Sequence, residues 1–182
     1  MATLANFLGY QGTWLVATLA AHAGLPWAGP VAASVYVGAT LAASNTRRTD
    51  AALLLAAVAC GAVLDGAFAA SGVLKYAASD PSLPRGGAPV WILMLWCAFA
   101  LTLTRSLRWL VATPARAAVA GVVGGPLAYA AAARLGAVEF RSPAAVGTVL
   151  LAVGWGVALV GLTALSRRLA RRDDSQVAEA RP

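Results

Sequence analysis

Runs of 17 to 23 mostly apolar residues follow one another along this chain, separated only by short punctuated links. They cover residues 5–21, 26–43, 51–73, 89–110, 115–135 and 144–165. A bilayer's hydrocarbon core, about 30 Å thick, takes about 20 such residues per helix. In lipid each backbone amide must also bond within its own segment, which a helix achieves. Charged residues make up 12% of the chain and hydrophobic ones 60%, where soluble domains carry roughly a quarter charged residues. The expected fold is therefore all-α: a polytopic membrane protein, one bundle of six transmembrane helices over residues 1–165. A charged tail, 166–182, is expected to be disordered. The spans leave no room for a separate soluble catalytic domain.

Thirteen arginines against one lysine give a net charge of +7. The arginines sit at the ends of the apolar runs rather than along one face, which speaks against nucleic acid and for topology signals. With both termini cytoplasmic, the inner side holds Arg47, Arg48, Arg105, Arg108, Arg116, Arg167, Arg168, Arg171, Arg172 and Arg181. The far side holds Lys75, Arg85, Arg134 and Arg141. That bias obeys the positive-inside rule and suits an even number of spans. Ala21-His22-Ala23 has the small-x-small form of a signal-peptidase site. "MATLANF" lacks the basic start of a signal peptide, however, so residues 1–23 are read as a retained first span. Cleavage would leave five spans.

Asp65 is the sharpest chemical signal, a lone carboxylate in "AAVACGAVLDGAFAASGVL". An Asp near a membrane helix centre costs about 2.5–3.5 kcal/mol on insertion scales, and desolvation there favours its neutral form. It serves either as hydrogen-bonded glue between helices or as a proton, cation or substrate contact. In the first span Asn6, Tyr10, Gln11 and Trp14 fall within an arc of roughly 140° and should face the bundle interior. Interhelical amide bonding alone would also account for them. The fifth span carries Gly124-Gly125-Pro126, then Tyr129 and Arg134. Pro126 frees the carbonyl of Val122, so a kink or break is expected there, and such interruptions mark binding sites in transporters. Gly121 and Gly125 form the packing motif GxxxG. The fourth span closes with Arg105, Arg108 and Trp109, read either as interfacial anchors or as a grip on an anionic headgroup. Trp91 and Trp109 are expected in the two interfacial belts.

Cys60 and Cys97 lie inside apolar runs and read as small filler, and His22 is a lone loop histidine. The chain contains no HExxH, GxSxG or Walker A motif. No metal site, no cofactor and no recognisable catalytic centre is expected.

Asn6/Gln11/Trp14, "GAVLD" ending at Asp65, "PVWILMLWCAF", "SLRWL" at 106–110, "GGPLAY" at 124–129, "ARLGA" at 133–137 and Gly154-Trp155 together resemble the bacterial inner-membrane proteins grouped as domain of unknown function 2878. The similarity runs to about Leu165. In that family an Asn-His pair often precedes the "SL" of the fourth span, and here Thr104 and Arg105 stand in its place. The resemblance implies a bacterial inner-membrane location and a lipid-linked role, with no established activity.

The favoured expectation is a lipid-pathway accessory protein holding an amphiphilic ligand in an intramembrane polar pocket built from Asn6, Gln11, Trp14, Asp65, Tyr129, Arg134 and Trp155. Its partners would be membrane lipids and another membrane or lipid-modifying protein. The alternatives are a small-solute transporter, or a transporter's substrate-binding component, with Tyr36 joining the pocket, and a helix-packing scaffold without a ligand.

Overall fold

The computed structural model describes residues 2–179, with side chains described for 3–171. Each expected apolar run has its helix: α1 (Ala2–His22), α2 (Ala28–Ala42), α3 (Arg47–Ala70), α4 (Val90–Leu103), α5 (Pro114–Arg134) and α6 (Ala144–Glu179). Three helices, α3, α5 and the 144–171 stretch of α6, are long and apolar enough to cross a membrane. The other apolar helices, α2 and α4, are shorter. The cation Arg181 and the last residues, 180–182, lie outside the described residues.

Three boundaries depart from expectation. The protein is mostly helical but not all-α, because the links between the third and fourth and between the fifth and sixth helices pair. Strand β1 (Leu74–Tyr76) runs antiparallel to β4 (Val138–Phe140), and β2 (Ser82–Leu83) pairs with β3 (Ala88–Pro89). Link backbone groups need partners as helical ones do, and these two links meet over one end of the bundle. Lys75 faces Glu139 across the ladder at 3.8 Å. Second, α4 stops at Leu103 instead of Leu110. The next residues are held in turns because Ser106 donates both its amide and its hydroxyl to Asn6 Oδ1, and Arg105 turns onto Asp50. These bonds reach residues far along the chain, and such tertiary contacts override local helix preference. Third, α6 continues past Leu165 through the charged stretch to Glu179, where neither proline nor glycine interrupts and good helix formers dominate.

Helix α4 is the centre of the bundle: 11 of its 14 residues are buried. It packs against α3, α2 and α1, α5 pairs with α6, and α3 touches both α4 and α6. The α5–α6 seam relies on glycine. A Cβ on Gly121 would lie 2.3 Å from the Trp155 carbonyl oxygen, and one on Gly125 would lie 2.4 Å from Trp155 Cγ. Helix α5 is unbroken at Pro126, the place of the expected kink or break. Gly124, expected to share in that break, faces open space. Thr113 caps α5 by accepting from the Arg116 amide, and Pro114 occupies the first turn, where its missing donor costs nothing.

Polarity is distributed inside out. Leu55, Val63, Leu127 and Val157 are 64–74% exposed, whereas Asp50 and Asp65 are 0% exposed. An apolar belt of this kind has no place against water but suits hydrocarbon.

Candidate functional site

Gly61 and Asp65 stand one turn apart on the same face of α3. The missing side chain at Gly61 lets the Trp96 indole of α4 lie against α3; a Cβ there would meet Trp96 Cδ1 at 2.3 Å. From that seat Trp96 Nε1 donates to Asp65 Oδ2 at 2.7 Å. Two phenols converge on Oδ1. Tyr76 of β1 donates at 2.8 Å, and Tyr129 of α5 donates as well. A carboxylate accepts at both oxygens, so one buried group ties α3 to α4, α5 and β1.

The ladder between the two links sets Tyr76 in place, pairing it with Val138. The edge of Trp91 packs on it, 6.4 Å between centroids at 71°, and Trp91 Nε1 donates to the Ala77 carbonyl at 3.0 Å. Trp91 is thus buried, not displayed in an interfacial belt. Burial, with Tyr129 and Asp65 alongside, pushes the Tyr76 phenol well above its usual range.

Beside this cluster lies a cavity of about 50 Å³. Trp155 of α6 stacks on Trp96 at 4.3 Å and 17°, and Phe99 meets Trp155 edge-on at 5.4 Å. Tyr10, Trp14 and Thr18 form the α1 wall, and Ala128, Tyr129 and Ala132 the α5 wall. These two helices pack chiefly on other partners. A cavity of about 150 Å³ holds benzene, so the present slot suits one narrow chain rather than a ring. Trp155 Nε1 is buried near the Tyr129 hydroxyl without completing a hydrogen bond of good geometry to it. Among the described residues no group of three His, Cys, Asp or Glu side chains could hold a metal.

The expected pocket residues divide. Asp65, Tyr129, Trp155 and Trp14 come together here. Gln11 does not, because it is exposed on the outside of α1. Thr13, Ala17 and Ala21 define the buried stripe of that helix, and Gln11 lies roughly 120° from its centre. Arg134 is exposed at the far end of α5. Asn6 is buried at the opposite end of the bundle, where its amide donates to the Tyr36 hydroxyl at 2.7 Å and its Oδ1 accepts from Ser106 Oγ at 2.6 Å. Tyr36 therefore belongs to that end and not to the Asp65 pocket.

At the same end Arg105 clasps Asp50 through two bonds, 3.1 and 2.7 Å, and Ser44 Oγ donates to Asp50 at 2.5 Å. Arg105 is thus committed to a buried carboxylate. Beyond the end of α4, Arg108 and Trp109 are both exposed. Arg105 and Arg108 still share the rim of an open cleft of about 600 Å³ with Asn6, Tyr36 and Thr40.

Sequence reasoning missed Trp96, Tyr76 and Asp50. Gly61 four residues before Asp65 was an available signal for a large side chain crossing there. Asp50 sits in "SNTRRTD", where a charge reads as part of a solvated link.

A model of the family described as "Protein of unknown function (DUF2878)" matches residues 3–161. Neither the curated proteins nor the solved structures contain a match.

Proposed function

The chain belongs to the DUF2878 family, and from that premise we propose that it is a multi-pass protein of the bacterial inner membrane that binds the apolar chain of an amphiphilic, lipid-like ligand as an accessory to a lipid pathway. In this reading all six helices traverse the bilayer with both termini cytoplasmic. Short α4 fits because it is buried among its neighbours and need not match the hydrocarbon thickness by itself.

The observation that carries the proposal is the aromatic slot beside Asp65, walled by α1 and α5 and backed by the Trp155 indole N–H. A chain entering between those helices exchanges lipid for aromatic surface, and the free N–H offers one hydrogen bond to a polar group on it. Asp65 acts indirectly, fixing Trp96 and Tyr129. An accessory role is supported by Gln11, whose exposed amide stands on the same outward side of α1 as Leu8 and Leu15. Hydrocarbon would leave that amide unbonded, whereas a partner helix would not.

Ala132→Leu fills the slot. Mass spectrometry of lipid retained by the purified protein, with a photoreactive lipid analogue in membranes, should show loss of the retained species. Unchanged lipid content and labelling in a folded variant would refute the proposal. The transporter reading draws on one observation: Tyr76, bonded to Asp65, also lines an outer cleft of about 330 Å³. Solute uptake lost in Asp65→Asn, with lipid retention intact, would favour it. Labelling of cysteines placed at Lys75 and Arg168 from opposite sides of the membrane tests the topology.

A further inference from the structure

At the end of the bundle opposite the Asp65 cluster, a separate cleft of about 340 Å³ opens between the start of α3, the turns after α4, and α6. Thr46 and Thr49 line it from α3 and its cap, Arg108 from the turns, and Thr163, Ser166 and Arg167 from α6. Two arginines and several hydroxyl-bearing residues thus line one cleft. The neighbouring carboxylate, Asp50, is clasped by Arg105 and fully buried, so it does not cancel the charge of Arg108 or Arg167.

Thr163 marks the cleft as more than a gap in packing. Helical threonines usually return their hydroxyl to the carbonyl one turn back. Thr13 gives its hydroxyl to Gly9, Thr18 to Trp14 and Thr40 to Tyr36. Thr163 is 3% exposed, and its Oγ1 has no hydrogen-bond partner. Arg167, one turn on, is held over the cleft by donating to the carbonyls of Val111 and Ala112 through one terminal nitrogen. Buried hydroxyls without partners are uncommon in native proteins and call for an explanation.

We propose that this cleft binds a phosphate group, as free phosphate or as the phosphoester of a lipid headgroup. Arginine forks and hydroxyl donors are the groups that match a tetrahedral anion's oxygens. Arg108 and Arg167 supply charge, and Thr163 with Ser166 supplies donors. The site is independent of the Asp65 slot.

The test uses the full chain in neutral detergent micelles. Thermal unfolding is followed as sodium phosphate replaces sodium chloride at constant ionic strength, and separately as phosphatidic acid replaces phosphatidylcholine in mixed micelles. Ligand that binds only the folded state raises the midpoint with concentration. Thr163→Val keeps the shape, removes the hydroxyl, and should leave the ligand-free midpoint unchanged or higher. It should weaken phosphate-group binding at least tenfold, and Arg108→Gln should do the same. A midpoint rise with both probes assigns the site to the phosphate group itself; a rise with phosphatidic acid alone assigns it to a lipid headgroup. No rise with either probe, or equal rises in wild type and both variants, would overturn the proposal.

Discussion

Replacing Asp65 with Asn swaps one carboxylate oxygen for an NH₂ group of nearly the same size and shape. Because Tyr76 and Tyr129 both donate to Oδ1 and Trp96 to Oδ2, the asparagine keeps the first two bonds only by pointing its NH₂ at the Trp96 N–H. One bond is lost and two buried donors face each other. Flipping the amide restores the tryptophan bond but orphans two phenol hydrogens. A buried donor left unsatisfied costs about 1–3 kcal/mol, which sets the expected loss for D65N. Trp96→Phe removes the opposing donor while keeping a ring against Gly61 and Trp155, and alone it should cost a similar amount by leaving Oδ2 unbonded. The double variant should be more stable than the sum of the singles by about 1 kcal/mol or more, since one mismatch serves both. Reversible unfolding in mixed micelles measures the cycle. Additivity within about 0.5 kcal/mol would show that the Trp96–Asp65 bond does not hold α4 to α3, and the account of the pocket's rear wall would fail.

Arg105→Ala leaves Asp50 buried with Ser44 as its remaining side-chain donor, so the expected loss is about 3–5 kcal/mol; pairing it with Asp50→Asn should recover a large part of that in the same assay. Gly125→Ala places a methyl into Trp155 and should destabilise by about 1–3 kcal/mol, whereas Gly124→Ala, facing open space, should be neutral or stabilising by up to about 1 kcal/mol; unfolding midpoints decide. Tyr76→Phe removes one of three donors to Asp65 and should lower stability by about 1 kcal/mol, with greater hydrogen exchange in the β1–β4 ladder as the local readout.

The number and order of the helices were legible in the sequence because apolar run length is a local property that any bilayer-sized element must satisfy. Asp65, Tyr129 and Trp155 were also recognisable as a group, since each is a polar or aromatic interruption of an otherwise greasy segment and has few alternatives to meeting the others. Rotation of a helix about its axis is not local. Gln11 and Asn6 share one wheel, yet small residues at Thr13, Ala17 and Ala21 set which arc packs, leaving Gln11 outside and Asn6 within. The glycines at 61, 121 and 125 were visible, but which indole each admits depends on the neighbouring helix. Pairing of two distant links delivers Tyr76 to Asp65, and the end of α4 delivers Arg105 to Asp50. Such partners are chosen by contacts between segments far apart in the chain, where hydrogen-bond satisfaction in a dry interior outweighs the local preference of either segment, and only the assembled bundle decides them.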